Sequence, residues 1–299
     1  MWLPALCVSK VTWRRGVWPN RSSRPATPLS KIQTDILKLL ASHRDPESYV
    51  AGSTPLNRGA LRYSGDIDVF HDREELVARA AAEDGALLQE HGYILEWQRR
   101  EPAIYTVLVE RSGEATKLEW VVDSDYRFFP TMRDEMFGYA LHPVDLAINK
   151  AMAAAGHREV RDLVDLVTIH ETILPLGAVV WAAVDKAPGF TPEGLIAEIR
   201  RNSSYSPVEW RALLASEPLD PKAIMGQLRQ ALEEAEAFVT KMPTDKAGLL
   251  FLRDGAVVQP DPNRLEDYPT HAGQRRGQWP TSAEISAAMF EYYRKPPIP

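Results

Sequence analysis

One cysteine, Cys7, is all that the 299 residues contain, so no disulfide can form within this chain and no cysteine-based metal site can be built. The seven histidines, at 43, 71, 91, 142, 157, 170 and 271, have no close metal-ligand spacing either. No apolar run approaches the roughly 20 residues needed to span a bilayer. No internal repeat is present. A basic excess is lacking too: 35 Lys and Arg stand against 41 Asp and Glu. With 44% hydrophobic and 25% charged residues, the composition is that of a globular protein, and a cytoplasmic location is expected.

The first 28 residues differ from the rest. They carry Lys10, Arg14, Arg15, Arg21 and Arg24, no acidic residue, and Trp2, Trp13 and Trp18. An acid-free, Arg- and Ser-containing segment fits an organellar transit peptide. The plainer expectation is a poorly ordered tail, or upstream sequence from a wrongly chosen start. Without it the body has 30 basic side chains (35 minus 5) against 41 acidic ones. That balance argues against a broad nucleic-acid-binding surface and leaves room for a local basic groove.

Apolar spacing predicts an amphipathic helix over 30–43, with Ile32, Ile36, Leu39 and Leu40 on one side. A short strand at 49–51 then runs into a Gly-Ser turn, one or two helical turns over 55–61, and a strand over 66–70. Asp72 and Glu75 have capping-box spacing before a helix at 73–90, which Gly92 ends. Strands are expected over 93–98, 103–111 and 116–122, with a turn at Ser112-Gly113-Glu114. From Pro143 the pattern turns helical, over 144–155, 157–173, 174–184, 192–201, 207–216 and 221–241. Asp254-Gly255 suggests a hairpin near 249–259, and a last helix is expected over 281–293. The expected fold class is α+β. A small mixed-sheet domain at 29–142 would precede a helical domain at 143–299.

Chemistry concentrates in Gly52-Ser53-Thr54 and, twelve residues on, Asp66-Ile67-Asp68. On a strand, residues i and i+2 share a face, so both carboxylates project together while Ile67 and Val69 pack behind. Two carboxylates so close repel unless a cation lies between them, and oxygen-only ligation suits Mg²⁺ or Mn²⁺. A pair of such ions serves phosphoryl and nucleotidyl transfer, which is mostly positioning and charge neutralisation. A third carboxylate should come from a neighbouring strand. Glu119 and Asp123 share parity there, and Glu119 is the first choice because it lies inside the strand. The Gly52-Ser53 turn would place backbone N–H groups and a hydroxyl against a triphosphate. Arg62 and Ser64 would either touch phosphate or cap the turn. The bland alternative makes Asp-Ile-Asp the exposed edge of a sheet.

These motifs resemble the AbiEii/AbiGii-type nucleotidyltransferase toxins, within the DNA polymerase beta-like nucleotidyltransferase superfamily. The resemblance rests on Gly52-Ser53 with Asp66 and Asp68. It extends to Leu146-Ala147-Ile148-Asn149-Lys150-Ala151-Met152-Ala153 and Arg161-Asp162-Leu163-Val164-Asp165, and spans about 30–175. It implies an NTP substrate, a catalytic set of Asp66, Asp68, Glu119, Lys150, Asp162 and Asp165, and a metal site of Asp66, Asp68 and Glu119. It also implies an RNA acceptor such as the tRNA 3′ end, and an antitoxin partner. Lys150 would neutralise triphosphate charge, with Asp162 or Asp165 as a base or as its organiser. In the alternative, Lys150 snorkels to solvent and Arg161 pairs with Asp165 as an ordinary i,i+4 ion pair. Two other function classes compete: a small-molecule, antibiotic-type nucleotidyltransferase and a non-catalytic nucleotide-binding module.

Overall fold

The computed structural model describes residues 29–56, 62–215 and 218–280. The expected tail at 1–28, residues 57–61 of the helical turns, and the helix at 281–293 lie outside the described residues.

Helix α1 (Lys31–Leu40) begins at a capping box: Ser30 Oγ accepts from the Gln33 amide, and Gln33 Oε1 accepts from the Ser30 amide. Then come β1 (Ser48–Ala51), α2 (Ser53–Leu56), β2 (Asp66–His71) and α3 (Glu74–Glu90). Strands β3 (Ile94–Glu101), β4 (Ile104–Arg111) and β5 (Glu114–Val122) follow, and then the short β6 (Tyr126–Arg127), β7 (Met132–Asp134) and β8 (Gly138–Ala140). The β4–β5 turn has positive φ at Ser112 and Gly113, the twist that suits a tight hairpin.

The capping box expected for α3 does not form. Arg73 is its N-cap and makes no side-chain cap bond. Asp72 instead accepts from both terminal nitrogens of buried Arg127, at 2.6 and 3.0 Å. A buried guanidinium needs a carboxylate more than an exposed helix terminus does, because water can satisfy the terminus.

Seven strands form one mixed sheet in the order β3-β4-β5-β2-β1-β8-β7. β2 and β5 run parallel, which sets Asp66 beside Lys117 and Asp68 beside Glu119. One face packs on α1 and α3: Ile67, Val69, Val107, Val109, Leu118 and Trp120 are buried there with Ile36, Val77 and Leu88. Under that layer, Asp84 of α3 accepts from Trp120 Nε1 at 2.7 Å and pairs with Arg44 and His43. Alternation therefore turns Asp66, Asp68, Lys117 and Glu119 to the opposite face.

The rest is mainly helical: α4 (Pro143–Gly156), α5 (Val160–Thr172), α6 (Leu176–Ala183), α7 (Pro192–Arg201), α8 (Pro207–Ala212) and α9 (Pro221–Val239). Proline opens α4, α7, α8 and α9, where its missing N–H costs no helical bond. All eight residues of α6 are buried at the centre of this second core. Strands β9 (Leu250–Arg253) and β10 (Ala256–Val258) form the expected hairpin around Asp254-Gly255, and β11 (Thr270–His271) adds a third strand. β12 (Gln274–Arg275) pairs with β6, so the chain returns to the segment joining sheet and helices. In that segment the amides of Phe128 and Phe129 donate to buried Asp145 of α4, at 2.8 and 2.9 Å. The fold is α+β, with nine α-helices among the described residues. No single helix among them is long and apolar enough to cross a membrane.

Candidate metal centre and its surrounding cations

β1 delivers the chain to Gly52, whose φ is +64°, a region open to glycine and strained for other residues. Space demands glycine as well: a Cβ at this position would lie 2.0 Å from Asp68 Oδ2. Buried hydroxyls then tie the turn to β2. Ser53 Oγ lies 3.0 Å from Ser64 Oγ, and both Thr54 Oγ1 and Ser64 Oγ donate to the Asp66 carbonyl at 2.8 Å. The Ser64 hydroxyl is thus engaged within the turn.

Asp66, Asp68 and Glu119 each offer an oxygen within 4.8 Å of the other two. Thr106 Oγ1 donates to Glu119 Oε1 at 3.1 Å and orients it from β4. Burial, followed by the charges of Asp66 and Glu119, pushes the Asp68 carboxyl up to about 7, against the pull of Lys150 and Lys117. An all-oxygen donor set with an excess of negative charge fits a hard divalent cation. The exposed-edge alternative for Asp66 and Asp68 does not hold, because β2 lies inside the sheet between β5 and β1. Asp123 is not part of the group. It lines a separate cavity of about 500 Å³ with Phe70, Asn149 and Lys186, where burial raises its carboxyl.

Behind the carboxylates, α4 and α5 hold a second charged cluster. Lys150 Nζ lies 2.9 Å from Asp162 Oδ1 and 3.0 Å from Asp165 Oδ2. Burial draws the ammonium pKa down, but Asp165 and Asp162 outweigh it and leave it raised. Arg62 grips Asp165 with Nε at 2.8 Å and Nη2 at 2.6 Å, and its Nη1 donates to the Tyr63 carbonyl. Burial raises the Asp165 carboxyl, yet Lys150 and Arg62 bring it below its ordinary value. Lys150 is therefore not a snorkelling surface lysine. Arg62 is 1% exposed, and each of its three nitrogens has a protein acceptor.

Two neighbours of the carboxylates were not foreseen from the sequence. Lys117 Nζ lies 3.2 Å from Glu119 Oε1 and 3.5 Å from Asp66 Oδ2. Arg161 does not pair with Asp165: its Nη1 reaches across to Asp66 Oδ2 at 3.5 Å. Lys117 carried a usable signal, since it shares parity with Glu119 on the same strand. Arg161 was hidden by the equally regular i,i+4 alternative.

No family model matches the sequence, and no curated protein matches it. Among solved structures the chain is similar to MenT4, a nucleotidyltransferase toxin from Mycobacterium tuberculosis H37Rv. The TM-score is 0.49 at 17% identity, over 72% of this chain and 84% of MenT4. It also matches Cid1, described by its RNA terminal uridylyl transferase activity. There the TM-score is 0.27 at 11% identity, over 70% of this chain and 65% of Cid1. Both likenesses are distant.

Proposed function

We propose that this protein is a divalent-metal-dependent nucleotidyltransferase that moves NMP from an NTP to an acceptor hydroxyl. One observation carries the reading: Asp66, Asp68 and Glu119 converge on adjacent parallel strands, beside a glycine turn that leaves room for Asp68. Asp66, Asp68 and Glu119 would hold Mg²⁺ or Mn²⁺, which neutralises their charge and polarises phosphoryl oxygens when bound. The acceptor oxygen attacks the α-phosphorus and a new P–O bond forms. The bond to the β-phosphate bridging oxygen breaks, pyrophosphate leaves, and the hydroxyl proton passes to solvent. Gly52 and Ser53 line the nucleotide's approach at the end of β1. Lys150 supplies positive charge to the triphosphate, oriented by Asp162 and Asp165, and Arg62 fixes Asp165. The sheet and the helices that follow it from Pro143 would form the two walls of the cleft.

The AbiEii/AbiGii resemblance supports a finer version: a toxin acting on RNA such as the tRNA 3′ end inside the cell, restrained by an antitoxin. The acidic balance of the body favours a competing acceptor, a small molecule. Incubation with each labelled NTP, Mg²⁺ and total RNA tests the reading, with Asp68→Asn as control. Label transferred to RNA by the wild type alone supports the finer version. Label on a small molecule supports the competing one. NTP binding with no transfer to any acceptor leaves a nucleotide-binding module.

A further inference from the structure

Four cations belong to the two charged clusters, and they are of two kinds. Arg62 and Lys150 are locked, each held by carboxylate oxygens at 2.6 to 3.0 Å. Lys117 and Arg161 are loosely held. Their nearest carboxylate oxygens are 3.2 to 3.5 Å away, and their side chains remain 36% and 39% exposed. Arg161 Nε is buried with no hydrogen-bond partner. A guanidinium in that state lacks an acceptor that could take two of its N–H groups together.

The two loose cations come from different walls, Lys117 from β5 and Arg161 from α5. Both approach the same atom, Asp66 Oδ2. That carboxylate also belongs to the group that fits a divalent cation. A divalent ion on Asp66 and Glu119 would repel an ammonium and a guanidinium only a few ångströms away. Each has a flexible stem and open solvent on one side, so each can swing off its carboxylate without unfolding anything.

We propose that Lys117 and Arg161 are exchangeable counter-ions. In the metal-free protein they neutralise Asp66 and Glu119. When a divalent cation takes those carboxylates, they turn to the pyrophosphate part of the nucleotide. The exchange rests on the nucleotidyl-transfer reading of this site. It makes metal loading and phosphate capture one event: the ion that enters releases the cations that bind its phosphate partner. The ligand class is a di- or triphosphate chain. An ammonium serves its point charge, and the fork of Arg161, with its free Nε–H, spans two oxygens.

The exchange predicts opposite signs for two affinities. In Lys117→Gln and in Arg161→Gln, Mn²⁺ binding to the otherwise ligand-free protein should tighten, by about 3- to 10-fold, because a competing cation is gone. Inorganic pyrophosphate binding at saturating Mn²⁺ should weaken by about tenfold in the same variants. Lys117→Arg keeps the charge and should show no gain in Mn²⁺ affinity. If the wild type binds Mn²⁺ and neither glutamine variant binds it more tightly, the exchange is overturned while the metal site stands. Unchanged pyrophosphate affinity in both variants overturns it equally. A wild type that binds no Mn²⁺, like Asp68→Asn, removes the metal reading and the exchange with it.

Discussion

Gly52 and Asp68 share one small volume. The carboxylate oxygen of Asp68 lies where any side chain at 52 would begin, 2.0 Å from the position of a Cβ. Gly52→Ala should therefore act at the metal site through Asp68. A left-handed alanine adds strain of roughly 1 kcal/mol, and displacement of the carboxylate adds more. The expected outcome is loss of Mn²⁺ binding with a modest fall in melting temperature. Unchanged Mn²⁺ affinity would show that Asp68 can move aside without leaving the group.

Asp68 sets a pH dependence in the metal-free protein. Its carboxyl is raised to about 7 from an ordinary 3.8, so between those values the native state holds a proton that the unfolded state has lost. Stability then falls as pH rises through that window, the reverse of a salt-bridged aspartate. At pH 8, Asp68→Asn should stabilise the metal-free protein by on the order of 1–3 kcal/mol while abolishing metal binding. Thermal melts of both proteins at pH 5 and pH 8, without metal, check this. An equal difference at the two pH values would show that Asp68 titrates normally.

Protons and metal compete for the same oxygen. Mn²⁺ affinity of the wild type should drop as pH is lowered through about 7, because ligands must be deprotonated to bind. Titration at pH 6 and pH 8 measures it. A flat profile would mean that the ion does not use Asp68.

Asp165 is the only carboxylate that touches both Arg62 and Lys150 among the described residues. Asp165→Ala strands buried Arg62 and leaves Lys150 with Asp162 alone, and should cost about 3–5 kcal/mol. Chemical denaturation gives the value. A loss below about 1 kcal/mol would place both cations in contact with water after the change.

Lys150→Ala should abolish transfer and weaken NTP binding, and Lys150→Arg should fail as well. A planar fork does not fit between Asp162 and Asp165 as a point charge does. Mn²⁺ binding should persist in both. Wild-type turnover in Lys150→Ala would leave the lysine a purely structural ion-pair partner.

Much of this was legible in the sequence, wherever geometry follows from period alone. Parity on β2 and β5 put Asp66, Asp68 and either Glu119 or Asp123 on one face, because the alternation of a strand does not depend on context, and only the position inside the strand favoured Glu119. The helical starts at Pro143, Pro192, Pro207 and Pro221 were equally plain. Choices between partners were not legible. Arg161 had Asp165 one helical turn away and Asp66 far off in sequence, and only tertiary structure decides between them. Asp72 looked like a cap until Arg127 arrived from 55 residues downstream. Strands β7 and β8, three residues each, are too short for any alternation to register.

The pairing of β12 with β6 has a consequence in time. Gln274 and Arg275 are made about 150 residues after the Tyr126 and Arg127 they bind. A chain growing from the ribosome folds its earlier parts first. The joining segment must wait, its backbone unpaired with β12, while the helices below it are synthesised and packed. The middle of the protein is thus fastened by nearly the last of the described residues to emerge, and a chain that stops before Gln274 lacks that fastening.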